Sequence, residues 1–267
     1  MNPHNPTGKV MSAKDTDLIK KIGELSLKYG FYIIDDMIYR DLTFDNSKMP
    51  KPFSSIETYF NNTISLFGIS KSYNLASIRS GLIVSNNKIS NMIQNKIYHQ
   101  MDSLSIINIQ SLVSAFNVNN KKQYKNYFSN LKIKYMYNFE ILKYLIEGIE
   151  TKSTFKLISK DKYIKIMKKY ISKEDYNFAL HDTSKLSFVS NLEEIESGYF
   201  SLLSIKSNKN YYDLFDDLFN KANIKVICGN SIMYPNNEEK VIRINFAVEL
   251  NVLIMGIIEL KKYLEKS

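Results

Sequence analysis

Only three arginines occur in this chain of 267 residues: Arg40, Arg79 and Arg243. A guanidinium presents a rigid pair of donors that grips a carboxylate or phosphate, and lysine cannot copy that geometry. Where arginine is this scarce, the positions that keep it are candidates for anion recognition. Asp36 and Lys71 stand out differently. Each follows a short apolar run, residues 31–34 and 63–67. In open α/β sheets ligands bind beyond the carboxyl ends of strands, so an acid and an amine at two such ends could face one ligand. Four separated signals line up in order: Asn5-Pro6-Thr7-Gly8, Asp36-Met37-Ile38-Tyr39, Ser70-Lys71 with Arg79 following, and Arg243-Ile244-Asn245-Phe246. Taken singly, each has an ordinary reading: a turn, a helix cap, a solvated amine, an ion-pair partner. Their joint order is much harder to produce by accident.

The elements that must position these residues follow from periodicity. MNPHNPTG reads as a turn, because two prolines and a glycine disfavour regular structure. Ser12 and Asp15 predict a capping box opening a helix. Leu18, Ile19, Ile22 and Leu25 then fall on one face, with Gly30 as the stop. Residues 31–34 predict a strand buried on both faces, and 63–67 and 81–84 predict two more. Turn, helix, strand, connection, strand is the grammar of an α/β domain. Residues 89–116 read as helical with a break near Ser103. Residues 121–146 read as one long helix whose Tyr124, Phe128, Leu131, Tyr135, Phe139, Leu142 and Leu145 suit core packing. Beyond it, 159–194 reads as a helix plus loops, 198–204 as a strand, 211–222 as a helix, 224–228 and 241–247 as strands, and 249–265 as a closing helix. The expected organisation is a large domain over 1–120 and, over 121–267, an interdomain helix with a small α+β domain.

Composition excludes several classes. With 44% apolar and 24% charged residues the chain is not a disordered one. Cys228 is its only cysteine, so no disulfide scaffold exists. No apolar run reaches the roughly 18 to 20 residues that would span a bilayer, and no secretory segment opens the chain. A reducing, cytoplasmic setting is the expectation. The net charge of +9 comes from lysines spread along the whole chain rather than from a basic, aromatic-interleaved block, so neither nucleic acid nor a membrane is an expected partner. His4, His99 and His181 lack metal-ligand spacing, and no glycine-rich nucleotide loop occurs.

The strings MNPHNPTG, IIDDMIYRDL, GISKSYNLASIRSG, GYFSLL and VIRINFA resemble the fold-type-I, pyridoxal-phosphate-dependent aminotransferases of class I/II. The segment from Ser70-Lys71 through Arg79-Ser80-Gly81 is the most specific, and 159–194 fits worst. The resemblance implies an α/β fold of the PLP-dependent transferase type, a partial large domain followed by the small one. It implies pyridoxal 5'-phosphate as cofactor, and transfer of an amino group between an amino acid and a 2-oxo acid. Lys71 matches the lysine that holds the cofactor aldehyde as a Schiff base and then shuttles the proton. Such acid–base work is worth roughly a hundred- to ten-thousand-fold in rate. Asp36 matches the carboxylate that keeps the pyridine nitrogen protonated. Asp35 falls out of register with Tyr39 and reads as structural. Tyr39 and Asn5 match hydrogen-bond partners of the phenolic oxygen, Ser70 and Arg79 match phosphate anchors, and Arg243 matches the grip on the substrate's α-carboxylate. Arg40 reads as structural.

Two departures from the pattern matter. Gly68 stands where many relatives carry a hydroxyl for the phosphate. The Asn-Pro-x-Gly turn, internal in relatives, comes almost at Met1. The expectation is therefore an N-terminally incomplete aminotransferase, lacking a phosphate-cradling turn and leaving an apolar sheet edge unpaired. Relatives are usually homodimers, which the full-length protein is expected to share. A β-eliminating lyase or decarboxylase of the same fold is the alternative within the fold. A truncated, non-catalytic remnant or interaction module is the alternative outside catalysis.

Overall fold

The structure is a computed structural model that describes residues 1–101, 104–232 and 239–266. It divides into two compact units. The first holds Met1–Asn5, Lys9–Asn130 and Glu196–Gly198, the second Pro6–Gly8, Leu131–Ile195 and Tyr199–Ser267.

In the first unit, α1 (Thr16–Tyr29) starts after Asp15. The capping exchange is real but sits outside the helix: Ser12 N donates to the Asp15 carboxylate at 2.5 Å, and Ser12 Oγ accepts from Lys14 N at 3.1 Å. Gly30 ends the helix in the left-handed region (φ 72°), its N–H donating to Ser26 O, because a residue without Cβ takes that conformation at no steric cost. The packed face is Ile19, Ile22, Gly23 and Ser26, against Phe53 and Tyr59. Leu18 and Leu25, expected on that face, are exposed. The face turned by part of a helical step because the ring of Tyr59 fills the space over Gly23.

Three strands follow: β1 (Ile33–Asp36), β2 (Thr63–Gly68) and β3 (Gly81–Val84). β2 lies in the middle, parallel to β1 and antiparallel to β3. β1 begins two residues later than its apolar run suggested, and Phe31 and Tyr32 stand exposed before it. It is not buried on both faces. Strand side chains alternate: Ile33 and Asp35 face the packed side, where Ile33 joins Ile19, Phe53 and Tyr59. Ile34 faces the other side and is 65% exposed. Every residue of β3 is exposed, and the sheet side carrying Ile34 and Ile83 is apolar and open. Two helices come next, α2 (Asn87–Met101) and α3 (Ile106–Phe116). The expected break near Ser103 lies outside the described residues.

The long helix is α4 (Lys121–Glu147). From Leu131 onward it belongs to the second unit, and its last turns are buried there. That unit's sheet has the order β4-β5-β7-β6, all antiparallel: β4 (Leu186–Phe188), β5 (Phe200–Ile205), β6 (Ile227–Cys228) and β7 (Lys240–Asn245). β5 is buried at all six positions. Phe139 of α4 is fully buried, with the rings of Phe155, Phe188 and Phe246 centred 5.7 to 6.0 Å away. The Asn138 amide donates to Phe246 O (2.7 Å) and Val248 O (3.0 Å), fixing the chain after β7. Residues 159–194 contain α5 (Lys160–Tyr170), the short α6 (Tyr176–Leu180) and β4, where only one helix was expected. α7 (Tyr211–Asn220) and α8 (Leu250–Lys266) complete the unit. Lys261 of α8 is buried, its ammonium donating to Phe178 O (2.8 Å) and His181 O (2.7 Å) at the end of α6.

Candidate functional site

The parallel strands β1 and β2 end side by side, with Asp36 opposite Leu66. Met37 N donates to Leu66 O at 2.8 Å, extending the ladder one residue past the strand. Asp36 is thus the last residue of β1 rather than a residue beyond it. Alternation puts it on the open face with Ile34, and its carboxylate accepts from Ile38 N at 3.1 Å. Asp35 points the other way. It is buried, accepting from Phe53 N (2.9 Å) and Ser65 Oγ (3.3 Å). Burial raises its pKa above the usual carboxylate range, against the lowering effect of those hydrogen bonds.

Asn2 ties the opening turn to the same strand end. Its N–H donates to Asp36 O at 2.8 Å. Its side chain clamps Met11, accepting from Met11 N (3.0 Å) and donating to Met11 O (2.7 Å). The loop so closed carries Asn5, which is half-buried. After β1 the chain turns at once, with Arg40 N donating to Met37 O at 3.0 Å. Tyr39 is buried at 5% exposure. Arg40 donates to Pro50 O and pairs with Asp41, both structural contacts.

The segment after β2 is compact. Ile69 is fully buried. Leu75 N returns to Ile69 O and Asn74 N to Lys71 O, each at 3.3 Å. Ser70 and Lys71 are half-buried. Ser72 Oγ donates to Ile38 O at 3.4 Å, joining the lysine's loop to the one leaving β1. Two non-glycine residues here are left-handed, Asn74 (φ 55°) and Arg79 (φ 54°). Such residues cost about 1 to 3 kcal/mol each and gather at functional sites. The Arg79 side chain is exposed and donates to Ala76 O at 3.2 Å. Gly81 has a packing reason: a Cβ there would lie 2.8 Å from Phe67 O. A Cβ on Gly68 would lie 3.2 Å from the Ile38 side chain, so the missing hydroxyl at this position leaves room for Ile38.

Asn5, Asp36, Tyr39, Ser70, Lys71 and Arg79 all belong to the first unit, in segments joined at or next to one end of β1 and β2. Arg243 belongs to the second unit. There it is half-buried on β7 between Leu202 and Ile227, its guanidinium carbon 5.4 Å from the Phe200 ring centre. Sequence reasoning missed Asn2 and Ser72. A hydroxyl directly after the lysine was the available signal for Ser72, and nothing in the pattern marked Asn2. A cavity of about 520 Å³ in the first unit is lined by Tyr73, Leu75, Ile107, Ser114, Tyr124 and Tyr127 among others, and by none of the six candidate residues.

The family model for aminotransferase class I and II matches residues 1–253. The chain belongs to that family. The E. coli glutamate-pyruvate aminotransferase AlaC is 25% identical over 113 residues, 42% of this chain and 26% of that protein. An aspartate aminotransferase of Geobacillus stearothermophilus is 31% identical over 80 residues, 30% of this chain and 20% of its own. Among solved structures, an aromatic aminotransferase from Pyrococcus horikoshii superimposes with a TM-score of 0.66 at 16% identity, covering 99% of this chain and 58% of that one. E. coli YbdL, described as having a methionine aminotransferase function, gives 0.68 at 14%, covering 97% and 56%. The α/β fold is therefore that of the aminotransferases. This family member spans under three-fifths of those solved chains, and its matches span about a quarter of the curated relatives. Among its described residues no helix is long and apolar enough to cross a membrane.

Proposed function

We propose that this chain carries the lysine-bearing part of a pyridoxal-phosphate-dependent aminotransferase acting on an amino acid and a 2-oxo acid. The observation that carries the reading is the joining of three sequence-distant segments at the carboxyl ends of β1 and β2. Asn2 N meets Asp36 O, and Ser72 Oγ meets Ile38 O. The donor set fits the cofactor's chemistry. A half-buried amine at Lys71 suits an aldehyde carbon, and a carboxylate at Asp36 suits a protonated ring nitrogen. The exposed guanidinium of Arg79, with Ser70, suits a phosphate. When bound, pyridoxal phosphate supplies an electron sink for the carbanion left by loss of the Cα proton.

The protein's own residues do the rest. Lys71 would hold the cofactor's aldehyde carbon, and its free amine would move the proton at the substrate's Cα. Asp36 holds the proton on the ring nitrogen. Tyr39 and Asn5 hydrogen-bond the phenolic oxygen. Arg243 grips the substrate's α-carboxylate with paired hydrogen bonds, each worth roughly 1.5 to 3 kcal/mol. A large domain over 1–120, a small one from 121 onward and a homodimeric assembly belong to this reading.

The test is chemical trapping. The chain is incubated with pyridoxal phosphate, reduced with borohydride and mapped by peptide mass spectrometry. The label should concentrate on Lys71 and vanish from that peptide in Lys71→Ala, while Asp36→Asn should weaken binding. Label spread evenly over the surface lysines would refute the assignment.

A further inference from the structure

Gly256 sits in the interior of α8, where glycine is disfavoured relative to alanine. Packing does not demand it: a Cβ built there meets nothing within 4 Å. The space beside it is a cavity of about 340 Å³ in the second unit, between α8 and the chain entering β6. Leu253, Ile257, Leu260 and Ile244 line it and are themselves at most 7% exposed, so the walls are firm. The chain on the other side is held by Ile224 N, which donates to Leu218 O at 2.8 Å. Lys225 is the one charged residue among the described lining. It is exposed and forms no ion pair among the described residues.

We propose that this slot binds a small amphiphile, an aliphatic chain ending in a carboxylate. Its tail lies over Gly256 and its head meets the Lys225 ammonium. The walls reward alkyl surface, and a cation with no ion-pair partner among the described residues selects the sign of the head group. A volume near the lower end of the roughly 300 to 1,000 Å³ typical of small-molecule sites selects a short chain over a long lipid. A small residue at 256 leaves the slot open, whereas a long side chain there would fill it. This inference is independent of Lys71 and of the reaction proposed above.

The probe is octanoate, titrated calorimetrically into the full chain. Saturable one-to-one binding is expected. Gly256→Leu should fill the slot and weaken binding at least about tenfold, whereas Gly256→Ala should retain it. Lys225→Gln should weaken octanoate about tenfold or more and leave 1-octanol unchanged. Circular dichroism checks that each variant is folded. The proposal is overturned if the wild-type chain binds no octanoate, if Gly256→Leu binds it equally, or if octanol binds as tightly as octanoate. It is also overturned if sedimentation shows that this face instead joins two copies, with Gly256→Leu monomeric and octanoate without effect.

Discussion

Gly23→Ala tests whether the packing beneath β1 and β2 is as tight as the geometry says. Two terms oppose each other. Replacing glycine in a helix interior stabilises by about 0.8 to 1 kcal/mol. Against this, the new Cβ would lie 2.4 Å from Cε2 and Cζ of Tyr59 and 2.6 Å from Cδ2, more than 1 Å inside ordinary contact. The ring cannot swing freely. Tyr59 is 8% exposed, packs with Ile19 and Phe53, and its carbonyl accepts from Thr63 Oγ1 at 2.9 Å. Overpacking of this kind costs about 1 to 3 kcal/mol, and the upper part of that range fits a rigid aromatic neighbour. The net expectation is a loss of about 1 to 2 kcal/mol. Gly256→Ala is the control: the same substitution in a helix with empty space beside it, expected to gain about 1 kcal/mol. Hydrogen exchange read at the amides of α1 and α8 measures each helix separately. Equal protection gains in both variants would refute the packing argument.

Three further outcomes follow from the same reasoning. Burial holds the Asp35 pKa above its unfolded value, so its stabilising contribution is present below the ordinary carboxylate range and is lost as pH rises through the raised value. The stability of wild type relative to Asp35→Asn, from urea unfolding, should fall as pH rises through that window, and a flat difference would contradict it. Burial pushes Lys261 down to about 8 from 10.5. Between those values the unfolded state binds more protons, so wild type should gain about 3 kcal/mol relative to Lys261→Met as pH rises from about 8 to about 10.5. No such gain would mean that the ammonium is better solvated than its two carbonyl partners imply. Gly81→Ala should push the β3 backbone off Phe67 O at a cost of about 1 to 3 kcal/mol, seen as faster exchange in residues 82–84.

Periodicity read the elements well where one face alone decided them. α4 and α8 came out within about two residues, because long helices repeat their pattern many times. It failed at short elements. Residues 31–34 looked like a strand buried on both sides, yet the ladder with β2 starts at Ile33 and runs to Asp36. Four apolar residues do not state their register, and the partner strand sets it. α6 and β4 were missed because five and three residues are too few to show a period. The helix face of α1 was misread by one step because the void over Gly23 is filled by Tyr59, 36 residues away. Within the first unit, the order of the motifs pointed to one strand end, but the groups joining them did not announce themselves. Asn2 acts through its backbone and Ser72 through one hydroxyl, and neither type is distinctive in a sequence.

The division of labour between the two sheet faces explains why the candidate residues fall where they do. The packed face spends its polar groups on itself: Asp35 holds Phe53 N and Ser65, and Thr63 holds Tyr59. A residue committed to such a network cannot also serve a ligand without breaking it. Asp36, one residue on, has the opposite pleat, and its carboxylate accepts from the local Ile38 N–H. The same logic separates Ile69, fully buried as the anchor of its loop, from half-buried Lys71 two residues later. Among the described residues of the first unit, the non-glycine residues with positive φ are Asn74 and Arg79, in that loop and at its exit. On the proposed reading, the reacting groups sit on short connections over a parallel strand pair, where one or two residues of displacement along the chain would exchange a structural group for a candidate one.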